Sequence, residues 1–271
     1  MSGRFRSRSG ARRAWVRALD WRIRRLPGRL AARLLPTGDP VEREFRRHAP
    51  WVTRFRIGGR DYGGDADLVE DGRIASFFAA FPDCRTVLEL GSLEGAHAFS
   101  LARRVEHVTA IEGRIANLEK ARLVQRLLGV DNVTFVEADL ETAELERLGR
   151  FDALFCVGLL YHLPQPWTLI DRFSSVSDRV FLQTHYAATA EETRDGVPGR
   201  SYPEYGTSDP LSGLSHTSYW LTLQALNAQL EQNGYAVREL ERSLEHPNGP
   251  IVTLVAECSS PGARAAARER D

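Results

Sequence analysis

The sequence predicts an α/β fold: a doubly wound, mostly parallel sheet of seven strands, ended by an antiparallel strand pair and preceded by a helical extension. Three observations carry this. Short apolar runs alternate with helix-period segments from Thr86 to Gln183. The run Phe151–Val157 is almost continuously apolar, as a parallel strand covered on both faces must be. Two strand-like runs near the C-terminus are joined by a connection too short for a crossover, so they pair antiparallel.

In order, residues 1–50 read as an arginine-rich extension. Within it, 1–10 are Ser/Gly/Arg-rich and expected to be disordered. Trp15, Leu19, Ile23 and Leu26 repeat every three to four residues, which predicts an amphipathic helix over 11–26. Pro27-Gly28 breaks it, a shorter helix runs to Leu35, and Pro36, Gly38 and Pro40 form a linker. Residues 51–258 form the main domain. It opens with a hairpin turning at Gly58-Gly59 and a helix over 66–81. Strands follow at 86–90, 108–111, 133–136, 151–157 and 180–183. The helices between them lie at 95–104, 114–128, 141–148 and 166–174. Residues 186–216 have no strong period and are expected to form a lid or substrate insertion. A helix over 218–233, capped by Thr217 or Ser218, and strands at 235–241 and 251–257 complete the domain. The tail 259–271 is expected to be disordered.

The chain has 271 residues and no net charge, with 42% hydrophobic residues, enough to bury a core. The charge is lopsided: residues 1–35 hold eleven arginines against one aspartate, about +10, leaving about −10 for the rest. Lys120 is the only lysine, so arginine replaces lysine wholesale and its abundance is weak evidence of phosphate recognition. No apolar run is long enough to span a bilayer. Arg12-Arg13 is followed by Arg17, Asp20 and Arg22 rather than an apolar segment, so no secretory signal is expected. Cys84, Cys156 and Cys258 are far apart, which predicts inert thiols in a reducing compartment and no metal site. The expected location is cytoplasmic, with peripheral association at the inner membrane face as an option for the basic arm. The oligomeric state stays open.

The first strand ends in Glu89-Leu90-Gly91-Ser92-Leu93-Glu94-Gly95. A glycine just past a parallel strand lets a ligand approach the backbone, and open α/β sheets bind ligands outside their carboxyl ends. Glu112 ends the second strand and can accept hydrogen bonds from both hydroxyls of a ribose. Asp139 follows the third and can accept from an adenine amino group. Acidic residues at three successive strand ends would surround an adenosine.

The stretches VLELGSLEGAHAFSLA, VTAIEGR, VTFVEAD and FDALFCVGLLYHLPQP resemble, in order and spacing, the successive motifs of class I S-adenosylmethionine (SAM)-dependent methyltransferases. The likeness covers about residues 84–185. The last stretch is similar to the group containing tRNA wobble-uridine-modifying enzymes and small-molecule and sugar O-methyltransferases. The resemblance implies a Rossmann-like methyltransferase sheet and SAM as cofactor. It places Glu89 and Gly91 on the methionine side, Glu112 at the ribose, Asp139 near adenine, and Val157 and Gly158 beside the adenosine, with Ser92, Gly95 and Gly113 also expected to bind the cofactor. Leu93 stands where the family has a second glycine, which leaves the loop's path open.

Methyl transfer needs alignment of donor and acceptor and, for a hydroxyl, removal of a proton. Tyr161, His162 and His185 lie at the same rim and are the expected catalytic residues. The aromatic insertion and the acidic remainder of the chain favour O-methylation of a small molecule, sugar or glycolipid. RNA gripped by residues 1–35 is the alternative. A non-catalytic SAM-fold protein held to an anionic membrane or partner by its basic helix is another. A dinucleotide-dependent dehydrogenase is disfavoured, because the first turn lacks the GxGxxG pattern.

Overall fold

A strictly alternating chain must cross over repeatedly to keep its strands parallel, and this constraint organises the protein. The structure, a computed structural model, describes residues 38–258. The expected helices of the arginine-rich arm and the expected disordered tail at 259–271 lie outside the described residues. The chain divides into two units between Pro50 and Trp51. The described part of the first holds one helix, α1 (Pro40–Arg47). Asp39 caps it by accepting from the N–H groups of Val41 and Glu42. Pro40, expected in a linker, instead takes the first helical position, where a missing N–H leaves nothing unsatisfied.

The second unit opens with the hairpin β1 (Arg54–Ile57) and β2 (Arg60–Gly63), turning at Gly58-Gly59. Helix α2 (Gly72–Ala80) is shorter than expected, because the Asp71 carboxylate caps the Arg73 N–H and leaves 66–71 outside it. Then come β3 (Thr86–Leu90), α3 (Ala96–Ala102), β4 (His107–Glu112), α4 (Ile115–Leu128) and β5 (Val133–Glu137). The expected helix over 141–148 is one 3₁₀ turn, Leu145–Leu148. After β6 (Ala153–Val157), the expected helix 166–174 is two short ones, α5 (Pro166–Ile170) and α6 (Phe173–Val176). The sheet then receives β7 (Arg179–His185).

The insertion is not structureless. Strands β8 (Glu192–Arg194) and β9 (Val197–Pro203) join β10 (Thr217–Leu221) in a three-stranded antiparallel sheet. Tyr219 is fully buried and its hydroxyl donates to the carbonyls of Val197 and Glu192. The helix expected from Ser218 therefore starts later, as α7 (Leu223–Gln232), capped by the Thr222 hydroxyl on the Ala225 N–H. The aromatic run Tyr219-Trp220-Leu221 pairs as a strand because β9 is there to receive it. Strands β11 (Tyr235–Ser243) and β12 (Ile251–Cys258) end the described chain.

The main sheet runs β11-β12-β7-β6-β3-β4-β5. All pairings are parallel except β11 with β12 and β12 with β7. The chain winds outward from β3 towards β5 and from β6 towards β7, so the switch point lies between β3 and β6. Phe155 of β6 and Phe181 of β7 stack at 5.6 Å, and Phe77 of α2 meets both edge-on. Among the described residues no helix is long and apolar enough to cross a membrane.

One buried charge ties the domain's entry to the first loop. Glu94 is fully buried, and its carboxylate accepts from the N–H groups of Val52 and Thr53 and from Lys120 Nζ at 2.8 Å. Lys120→Met would leave that charge without its cation. A loss of about 3–5 kcal/mol is expected, read as a lower urea midpoint at unchanged slope. The double variant Glu94→Gln/Lys120→Met, with no buried charge, should recover part of it.

Candidate active site

The carboxyl ends of the parallel strands surround a cavity of about 460 Å³, a size suited to a small-molecule ligand. Each strand end supplies part of the wall: Gly91 and Ser92 after β3, Glu112 and Gly113 at β4, Asp139 after β5, Val157 and Gly158 at β6, and His185 at β7. The buried Glu112 is the hinge of this wall. Its Oε2 accepts from the Leu93 N–H at 2.8 Å and its Oε1 from the Arg114 N–H at 2.9 Å. Burial raises its pKa, against the pull of those N–H groups. Asp139 turns its own chain by accepting from the Glu141 N–H.

Leu93 has φ of +51°, in the left-handed region. It takes a glycine-like conformation, so the loop between Gly91 and Gly95 bends with a leucine where glycine was expected. Gly95 is not part of the wall. A Cβ there would collide with the rings of Phe135 and Phe99, so it serves packing. Glu89 also stands behind the wall. It is buried, its Oε2 has no partner, and its pKa is pushed up to about 8 by burial and then by the Glu112 charge.

A buried polar chain leads away from Glu89. His97 Nδ1 lies 3.8 Å from Glu89 Oε1, and His97 Nε2 lies 3.0 Å from Asp71 Oδ2. A carboxylate only accepts, so Nε2 carries the proton. Burial lowers the His97 pKa and keeps the ring neutral, which leaves Nδ1 bare. Burial opposes ionisation of Asp71, but His97 and Arg73 hold its carboxyl well below the usual range. Arg73 then reaches Gln183 Oε1 at 2.6 Å.

The three rim residues differ in kind. His185 Nδ1 lies 3.1 Å from both the Gly249 and the Pro250 carbonyl. Carbonyls accept only, so Nδ1 carries the proton and Nε2 of the neutral ring is bare. Burial lowers the pKa of this imidazole. Trp220 stacks on it at 5.0 Å and Tyr161 meets it edge-on at 4.7 Å. Burial pushes Tyr161 up to about 12, so it stays a phenol and a donor. His162 Nδ1 donates to Glu204 Oε1 at 2.9 Å, and Glu204 Oε2 accepts from the Gly213 N–H. That pair holds a strap, residues 204–214, over the cavity. Arg114 holds its other side by donating to the carbonyls of Gly206, Asp209, Ser212 and Gly213.

Arg73 and Asn117 escape sequence reasoning, whereas Glu204 falls within the expected insertion, Trp220 just beyond it, and Asn248 in the last hairpin loop. Asn248 had a signal. Strand β12 runs antiparallel to β7 with Ile251 opposite His185, so the hairpin loop 244–250 must lie at the carboxyl edge.

Residues 87–177 match the family model described as a methyltransferase domain. The ubiquinone biosynthesis O-methyltransferase of Azotobacter vinelandii (strain DJ / ATCC BAA-1303) is 36% identical over 86 residues, 32% of this chain and 37% of that protein. That of Pseudomonas paraeruginosa (strain DSM 24068 / PA7) is 34% identical over 103 residues, 37% of this chain and 44% of that protein. The matches thus span less than half the length of these curated relatives. The crystal structure of the N-terminal domain of EvdMO1 with SAH bound is 33% identical, with a TM-score of 0.74, covering 81% of this chain and 96% of that one. The chain belongs to the class I SAM-dependent methyltransferases.

Methyltransferases of this class take SAM as donor, and the wall fits that group. The Glu112 carboxylate accepts from the Leu93 and Arg114 N–H groups and from the Asn117 side chain, and its two oxygens keep capacity for a ribose hydroxyl. Gly91 and Gly158 leave the backbone open where a Cβ would narrow the site, at φ of +76° and +75°. The unpartnered Glu89 Oε2 lies behind the same loop. Among the described residues no group of three or more His, Cys, Asp or Glu is placed to hold a metal.

Two predictions follow from this wall. Leu93→Val places a β-branched residue at positive φ and should be about 1 kcal/mol less stable than Leu93→Asn, which tolerates that region; thermal unfolding reads the difference. Glu89 keeps its proton in the folded ligand-free protein until about pH 8, whereas the unfolded chain releases it near 4.5. Stability should therefore fall between those two pH values with a slope approaching one proton. Glu89→Gln should flatten this slope in denaturation curves recorded across the range.

Proposed function

We propose that the chain transfers a methyl group from SAM to a hydroxyl oxygen of a small, sugar-like acceptor, with His185 as general base. In this reading Glu112 and Gly113 hold the ribose and Asp139 the adenine side. Gly91 and Ser92 take the methionine side, and Val157 and Gly158 border the adenosine. Bound SAM supplies a methyl on a positively charged sulfur, whose S–C bond breaks as the O–C bond forms, leaving SAH. His185 Nε2 takes the hydroxyl proton, and the carbonyls of Gly249 and Pro250 fix the tautomer that makes this possible. Tyr161 donates its phenol hydrogen bond to orient the acceptor. The strap and the aromatic cluster exclude water from the reacting atoms.

The carrying observation is the bare Nε2 of a neutral, rigidly held imidazole at the sheet's carboxyl edge. Hydroxyl oxygens need such a base, because they are poor nucleophiles until the proton leaves. Two likenesses support oxygen and a sugar. The curated relatives are O-methyltransferases, and the EvdMO1 domain has also been crystallised in the presence of SAH and D-fucose, at the same 33% identity and TM-score of 0.74.

The test is turnover of SAM to SAH with a panel of neutral hexoses and deoxyhexoses. His185→Gln should lower kcat by about 10²–10⁴-fold while SAH affinity stays close to wild type. The acid limb of kcat/KM should lie below the ordinary imidazole range, since burial lowers this pKa. Undiminished turnover in His185→Gln would remove the base assignment.

A further inference from the structure

A second cavity, of about 710 Å³, lies beside the first. It is lined by Gln183 of β7, Thr253 of β12, Ser76 of α2, and Glu241, Ser243 and His246. It shares Arg73, Gly158, Tyr161, His185 and Asn248 with the cofactor-sized cavity. The two spaces therefore meet where the Tyr161 phenol and the His185 imidazole stand 4.7 Å apart between ring centres.

Resting on the methyl-transfer reading above, we propose that this second cavity seats the acceptor, and that the acceptor is a neutral, polyhydroxylated ring of monosaccharide class. Its reactive hydroxyl lies at the junction, against His185 and Tyr161.

Charge disfavours an anionic acceptor. Arg73 is engaged by the Asp71 carboxylate and Gln183. Arg242 in the same wall has its Nε 3.2 Å from Glu239 Oε1. Both cations already hold carboxylates, and Glu241 adds a negative group to the wall. A phosphate or uronate would therefore be desolvated without a countercharge.

Neutral hydrogen-bonding groups remain. Gln183 Nε2 donates to Thr253 Oγ1 at 3.1 Å and keeps a second hydrogen. His246 Nδ1 accepts from the Asn248 N–H, so the ring hydrogen sits on Nε2, which can donate. The His246 ring centre stands 4.8 Å from that of His185, so the two imidazoles are neighbours in this wall. Such a set matches several hydroxyls at once, and Tyr161 adds an aromatic residue to the lining. A lipid-like quinol would instead need an apolar slot, which these walls do not provide.

The experiment is saturation-transfer NMR on the full chain with SAH present, using D-fucose, other neutral hexoses, glucuronate and hydroquinone as probes. Ser76→Trp and Ser243→Trp each enlarge a residue that lines this cavity, from separate elements, and neither residue lines the cofactor-sized cavity. At least one neutral sugar should give signal on wild type, and both variants should weaken its binding by about tenfold or more while SAH affinity is unchanged. Sugar binding indifferent to both tryptophans, stronger binding of glucuronate or hydroquinone, or no sugar binding by a chain that binds SAH would each overturn the inference alone. Failure of the wild type to bind SAH would overturn the methyl-transfer reading and the inference with it.

Discussion

The carboxylate of Glu94 is the constraint on which the rest of the site depends. A charge with no exposed surface must be paired and hydrogen-bonded, and this one takes its donors from two distant segments, Val52-Thr53 and Lys120. The loop after β3 cannot move without breaking that set. This accounts for Leu93. A non-glycine residue persists at positive φ only where its surroundings over-determine it, and Leu93 is held between buried Glu94 and its own N–H bond to Glu112. Buried electrostatics replaces the conformational freedom that a glycine would have supplied.

The parallel core was legible because its signal is local. Five apolar runs of strand length, the first four each followed by a helical period, leave few topologies, and the short last connection fixes the antiparallel pair. The acidic strand ends could be placed for the same reason, since Glu112 and Asp139 follow from where strands stop. The insertion was illegible because its order is non-local. Strand β9 reads Val-Pro-Gly-Arg-Ser-Tyr-Pro, with two prolines and a glycine that argue against a strand, yet it pairs with β10 from Thr217↔Pro203 to Leu221↔Gly199. Ser218 looks like a helix cap until that pairing claims it, and the cap passes to Thr222. Arg73 gave no signal at all. Its role comes from a contact with Gln183, 110 residues away.

Protonation states sort the site's buried groups into distinct roles. Glu89 is held neutral by burial and by the charge of Glu112, while Asp71 is held ionised by Arg73 and His97. Two carboxyl groups bracketing one imidazole thus differ in charge, and His97 is locked as a neutral ring between them. This chain of groups keeps Arg73 in place as the partition that both cavities share.

Three histidines near the cavity could in principle accept a proton, and their partners separate them. His97 has a bare nitrogen, but it faces buried Glu89 rather than open space. His162 gives its Nδ1 hydrogen to Glu204 and, through Glu204 and the Gly213 N–H, secures the strap. Its arrangement is that of a fastening. His185 alone has one nitrogen fixed by carbonyls and the other bare, with its ring bordering both cavities. The hairpin β11–β12 that supplies those carbonyls also brings in His246 and Asn248. The last two strands therefore do more than close the sheet: they set the tautomer of His185 and contribute to the lining of the second cavity.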